Sequence, residues 1–327
     1  MRKIFNPARL AFVTDRTLAV PLESDRRRFL AATTSLAASA LLSDRSVRAA
    51  EAESQLEHPI CVFTKPFNSL SFDELAERIA ELGFDGIEAP VRRGGHVQPD
   101  EVADKLPALV SALAKQGLSI TVMTSDLNDP ADPLTGKILK VAADQGIRRY
   151  RMGYLKYDPN EKIEAQLERW KRRLSDLAAL NEKLGIRGVY QNHAGVHYFG
   201  GPLWDLRYTL QGIDPKHLGV AYDIRHATVE GGTTWPLTFR LLRPHIDTVY
   251  VKDFVWEGKR VVNTPLGEGL VDPKFFRMLS EAGYEGPISL HEEYIDHRDP
   301  ELVPKHLAAI EKDFTTLKRW ISDAKLS

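Results

Sequence analysis

From residue 58 onward the apolar positions of the chain alternate between two periods. Stretches with apolar residues at helical spacing, such as 161–184, stop at a glycine, and a short apolar, β-prone run follows at once. The junctions are Leu82-Gly83-Phe84, Gln116-Gly117-Leu118, Gln145-Gly146-Ile147, Leu184-Gly185-Ile186, Leu218-Gly219-Val220 and Ala282-Gly283-Tyr284. Glycine suits the position just past a helix because it takes the left-handed conformation without a Cβ clash. Ser71-Phe72-Asp73-Glu74 has the spacing of a capping box and predicts a helix start. Strands are predicted at Ile60–Thr64, Gly86–Pro90, Leu118–Thr124, Ile147–Met152, Ile186–His193, Leu218–Ile224, Ile246–Asp253 and Pro287–Glu293.

Strands that alternate with helices predict a parallel sheet. Eight of them predict an α/β fold of the (β/α)8 TIM barrel type, for which roughly 250 residues suffice. An open doubly wound sheet is the alternative, but the Gly-x-Gly-x-x-Gly turn expected after its first strand is absent. The barrel is expected over 59–327, after a short linker at 51–58.

The first 50 residues read differently. Asp25-Arg26-Arg27-Arg28-Phe29-Leu30 resembles the twin-arginine export motif, a mild apolar stretch runs from Phe29 to Leu42, and Ala49-Ala50 offers a cleavage point. The stretch is too short for a bilayer, which takes ~20 apolar residues. The expectation is therefore export to the periplasm with no stable membrane span. Composition narrows the partners. A formal net charge of −1 gives no positive field to hold nucleic acid. Cys61 is the only cysteine, which excludes an intrachain disulfide and any multi-Cys zinc site. Oligomerisation is left open.

Reactive groups in such barrels stand at the C-terminal ends of the strands. Four strands end in polar runs: Tyr190-Gln191-Asn192-His193, Tyr222-Asp223-Ile224-Arg225-His226, Tyr250-Val251-Lys252-Asp253 and Leu290-His291-Glu292-Glu293-Tyr294. Alternation puts Gln191 with His193, Tyr250 with Lys252, and His291 with Glu293 on common faces, without saying which faces point inward. Any one of these residues could be a loop cap or a structural ion pair. Burying all of them at one barrel mouth is costly unless they pair or bind something. Other candidates for the pocket are Glu88 at the end of strand two, Arg92 and His96 in the polar loop that follows, Arg151 on strand four, Asn192, Trp204 as an aromatic ring for stacking, and Asp253. Of Arg149 and Arg151, at most one can readily face the mouth.

Gly83-Phe84-Asp85-Gly86-Ile87-Glu88, Gln191-Asn192-His193, Asp223-Ile224-Arg225-His226, Val251-Lys252-Asp253 and the strand-eight Glu together resemble the xylose-isomerase-like barrels, the sugar phosphate isomerases/epimerases. The resemblance runs from about Pro59 to the C-terminus. It implies a carbohydrate substrate and one divalent metal (Mn, Mg or Co) held by a strand-five Glu, a strand-six Asp, a strand-seven His and a strand-eight Glu. Asp223 and Glu293 match that set, whereas Gln191 and Tyr250 stand where Glu and His are usual. Gln191 can offer a carbonyl to a hard cation but no charge, Tyr is a poor ligand, and His291 is a further candidate ligand. The resemblance also implies α-proton transfer between two acid–base groups. Gln191 cannot take a proton, which leaves Glu293 as base and His193, His226 or Lys252 as its partner. The leading expectation is a sugar isomerase or epimerase. A lyase or hydratase on oxidised sugars or inositols and a non-catalytic sugar-binding barrel are the alternatives. An apurinic endonuclease would need a richer His/Glu cluster and a basic face.

Overall fold

The computed structural model describes residues 58–326; the twin-arginine motif, the cleavage region and nearly all of the linker lie outside them. The predicted strands form as β1 (Ile60–Phe63), β2 (Gly86–Pro90), β3 (Ser119–Thr124), β4 (Arg149–Arg151), β5 (Arg187–Gln191), β6 (Leu218–Asp223) and β7 (Ile246–Val251). A hairpin follows, β8 (Asp253–Glu257) and β9 (Arg260–Thr264), and then β10 (Ile288–Leu290). β10 pairs in parallel with both β7 and β1, and the eight parallel strands close into a barrel. The antiparallel hairpin was not among the predicted elements; it stands outside the barrel ladder.

The helices form where the apolar periodicity places them. The first, α1 (Phe72–Leu82), begins at the predicted capping box: Ser71 Oγ accepts the Glu74 N–H, and Glu74 accepts the Ser71 N–H at 3.0 Å. The longest among the described residues, α2 (Ile163–Leu184), buries Trp170, Leu174, Leu177 and Ala178 and turns its charges outward. Five of the six junction glycines have the expected positive φ. Gly219 does not. It lies inside β6, where a Cβ would come within 2.8 Å of the His245 carbonyl oxygen, so close approach is what requires glycine there. No helix among the described residues is long and apolar enough to cross a membrane.

Strand alternation sorts the tyrosines. Tyr150, Tyr190 and Tyr222 point away from the barrel axis, with hydroxyls bonded to Asn181, the Phe199 carbonyl and the Trp235 carbonyl respectively. Tyr250 points inward, packs on Val189 and Ala221, and has its hydroxyl on the side of Glu88. At the N-terminal end of the barrel, buried Asp247 takes Arg149 Nε at 2.9 Å, the Arg187 guanidinium, and Thr248 Oγ1 at 3.0 Å. This ion cluster lies on the face that barrels use for stability. Arg149 is thus at the bottom, and Arg151 is the one that faces the mouth.

Candidate active site

The strand ends fix the site because residues two apart on a strand share a face. Gln191, Asp223, Tyr250 with Lys252, and His291 with Glu293 all turn inward. They meet Glu88 from β2 and Arg151 from β4. The result is a chain of alternating charges. Glu88 Oε2 lies 2.8 Å from His291 Nε2, and His291 Nδ1 lies 3.6 Å from Glu293 Oε1. Lys252 Nζ then donates to Glu293 Oε2 at 3.0 Å and lies 3.2 Å from Asp223 Oδ2. Gln191 closes the row: its Nε2 donates to Asp223 Oδ2 at 2.8 Å, while its Oε1 accepts Arg151 Nη1 at 2.7 Å and the Tyr154 hydroxyl.

Burial works against every charge in this row, and the neighbours outweigh it. Despite burial, Lys252 and His291 hold the Glu293 carboxyl well below the ordinary carboxylate value. Burial lowers Lys252, but Asp223 and Glu293 raise it above its usual value. His291 is likewise raised against burial by Glu88 and Glu293, so both ring nitrogens are donors. The two remaining histidines are neutral. His226 is buried; its Nδ1 accepts the Ala194 N–H at 3.2 Å and meets Arg225 Nη1 at 2.9 Å, which requires a lone pair there. Burial and then Lys252 lower His193 to about 4. Its Nδ1 donates to the Ala194 carbonyl at 2.8 Å, so its Nε2 keeps a lone pair.

Glu88 lies beneath this row rather than at its surface. It accepts Ser289 Oγ at 2.7 Å, Thr124 Oγ1 and His291. Burial opposes its charge, but His291, Arg151 and Thr124 bring it from 4.5 down to about 2. The unfolded carboxyl takes a proton first on acidification. Its stabilisation is therefore complete above pH 4.5 and is lost as the pH falls towards 2, a change of about 3 kcal/mol at most. Urea midpoints of Glu88→Gln should depend less on pH across that window than those of the unsubstituted protein. An unchanged slope would remove Glu88 from this account.

Above the row opens a cavity of about 400 Å³. Of the predicted residues, Glu293, His193, Lys252, Gln191, His291, Arg92 and Arg151 line it. Asp223 sits directly under Lys252, and His226 lies behind His193, the rings tilted by 36° with centroids 4.0 Å apart. Besides Glu88, four predicted sugar contacts lie outside the cavity lining. Asn192 is buried and bonds the Asp223 backbone in both directions, and His96 bonds Thr64 Oγ1 at 2.9 Å. Trp204 opens a short helix and is 55% exposed, outside the cavity lining. Asp253 is 1% exposed, with its carboxylate spent on four backbone N–H groups, those of Phe254, Gly267, Gly269 and Val271. Conversely, Phe63, Lys65, Tyr154, Asn263 and His297 line the cavity without having been predicted. Tyr154 had a signal, since it stands three residues beyond Arg151. Asn263 had none, because it arrives on the hairpin, where it takes Arg225 Nη2 at 2.7 Å and donates to the Glu293 carbonyl at 3.1 Å.

The residues present do not fit the metal cage implied by the resemblance. Gln191 turns its amide nitrogen, not its oxygen, towards Asp223, and the Lys252 ammonium lies between Asp223 and Glu293. Among the described residues no group of three or more His, Cys, Asp or Glu side chains is placed to hold a metal ion.

The family model described as "Xylose isomerase-like TIM barrel" matches residues 76–313. No curated protein matches the chain. Among solved structures, a xylose isomerase domain protein from Planctomyces limnophilus is 16% identical at a TM-score of 0.63, covering 83% of this chain and 99% of its own. A 3-keto-D-glucoside 4-epimerase from E. coli is 17% identical at a TM-score of 0.59, covering 78% and 98%. A xylose isomerase-like barrel from Mycobacterium smegmatis, in complex with magnesium, is 16% identical at a TM-score of 0.62, covering 82% and 97%. At these identities the likeness establishes the fold.

Proposed function

This chain belongs to the xylose isomerase-like TIM barrel family, and we propose that it is a sugar isomerase or epimerase that removes a proton next to a carbonyl. The observation that carries the proposal is Glu293: a carboxylate kept ionised by two buried cations, on the wall of a polar cavity. A carboxylate in that state can accept an α-proton. His193, whose Nε2 keeps its lone pair, is the second group on the wall that can accept a proton, that of the neighbouring hydroxyl in an isomerisation. Arg92, Arg151 and Asn263 supply donors for the hydroxyls of a sugar. The twin-arginine motif argues for an exported enzyme and an unphosphorylated substrate, as phosphorylated sugars are mainly cytoplasmic.

A second reading rests on Gln191. With a single carboxylate base at hand, the same proton removal can end in loss of water from the neighbouring carbon, which is a lyase reaction. Incubating the protein in D2O with a panel of neutral and acidic keto-sugars, followed by proton NMR, separates the readings. Deuterium at the α-carbon with the sugar skeleton intact is the expected result. An unsaturated product would favour the lyase, and binding without any exchange would leave a non-catalytic barrel.

A further inference from the structure

The resemblance places a divalent ion between the Asp of strand six and the Glu of strand eight. In this chain an ammonium is there instead. We propose that Lys252 takes the place of the metal, so that its Nζ, rather than a divalent ion, holds the oxygen that becomes negative during proton transfer. The inference rests on the proton-transfer reading for its chemistry, but not for its test of metal binding.

Three observations converge on it. First, geometry: an ammonium has three donors. One donates to Glu293 Oε2 at 3.0 Å and Asp223 Oδ2 lies 3.2 Å from the nitrogen, so at least one donor is left for the cavity that Lys252 lines. Second, charge. Three carboxylates and a doubly charged ion sum to −1, and so do Asp223, Glu293 and Lys252 with a neutral Gln191. The loss of one negative ligand therefore matches the change from a double to a single positive charge. Third, space. Tyr250 fills the position of the missing His ligand with an inward ring, tilted against His291 at a centroid distance of 4.5 Å. A His on that strand would offer nitrogen to an ion; the tyrosine offers packing.

The chemistry balances without a metal. Glu293 takes the α-proton, and the C–H electron pair becomes the new C=C bond. The carbonyl π pair moves onto oxygen, where a remaining Lys252 N–H meets the developing charge in a buried site. Return of a proton to carbon restores the carbonyl, with no net oxidation or reduction.

The test uses the full chain and Mn²⁺ alone, followed by its electron paramagnetic resonance. The unsubstituted protein is expected to leave the free-ion signal undiminished, and its exchange activity is expected to survive chelation by EDTA. The triple substitution Gln191→Glu, Tyr250→His, Lys252→Ala rebuilds a four-ligand cage and should take up Mn²⁺. Lys252→Met should slow exchange by about 10²- to 10³-fold, with no recovery on adding Mn²⁺. Stoichiometric Mn²⁺ uptake by the unsubstituted protein, lost in Asp223→Asn, would overturn the inference. So would exchange that vanishes in EDTA and returns with Mn²⁺. If no sugar exchanges at all, the proton-transfer reading fails, while Mn²⁺ uptake still decides this one even should the triple variant not fold.

Discussion

Glu293→Gln is expected to lower α-deuterium exchange by about 10²- to 10⁴-fold, the range that a positioned acid–base group contributes, while the barrel stays folded. The amide keeps the shape of the side chain and cannot accept the proton. Stability should change little because each cation beside Glu293 keeps a second anion: Lys252 retains Asp223, and His291 retains Glu88. Neither is left as an unpaired buried charge, the situation that makes breaking an ion pair expensive. Glu293 is also 31% exposed on its side chain, so water reaches the site of the substitution. The measurements are the NMR exchange rate and a thermal melt on the same sample. Exchange at the original rate would exclude Glu293 as the base. A collapsed melt would show instead that the alternating row of charges depends on it for folding.

Asp253→Ala should act in the opposite sense, with a large loss of stability. The carboxylate gathers the N–H groups of Phe254, Gly267, Gly269 and Val271 at 2.9–3.1 Å. Gly269 is pressed so close that a Cβ there would fall 2.2 Å from Asp253 Oδ1. Removing the acceptor leaves buried donors without partners at about 1–3 kcal/mol each, partly relieved by water. A total of about 3–5 kcal/mol is expected, in line with the loss of a buried polar network. That corresponds to a Tm lower by roughly 10 °C for a domain of this size. Sugar affinity measured well below the transition should hold nearly constant. An unchanged Tm with weakened sugar binding would restore Asp253 to the pocket.

These residues also show what a single sequence discloses about such a barrel. Eight strands and the helix ends were legible because each is a local signal: a period, a capping box, a glycine with positive φ. Gly219 looked like another such end, yet it serves a contact with His245, a residue distant in sequence. The hairpin escaped because eight apolar runs already completed a barrel, although Val255, Val261 and Val262 around Gly258 carry its β-prone signature. At the mouth, alternation correctly paired Gln191 with His193, Tyr250 with Lys252, and His291 with Glu293. It could not say that Lys252 would reach across to both Asp223 and Glu293, because that depends on neighbouring strands and not on period. The backbone bonds of Asp253 were not legible for the same reason: three of its four partners lie in a loop 14 to 18 residues further on.

The hairpin has a consequence for how this barrel can diversify. β8 and β9 are held by their own cross-strand ladder, from Asp253↔Thr264 to Glu257↔Arg260, and the pair reaches the cavity wall through Asn263. None of the ionised groups in the row from Glu88 to Asp223 lies on it. The tip of the hairpin can therefore be lengthened, shortened or re-sided without touching a charge in that row, provided Asp253 keeps its backbone partners and Asn263 its bonds to Arg225 and the Glu293 carbonyl. The part of the cavity wall that the hairpin contributes is thus separable from the charged row beneath it everywhere except at those two anchors.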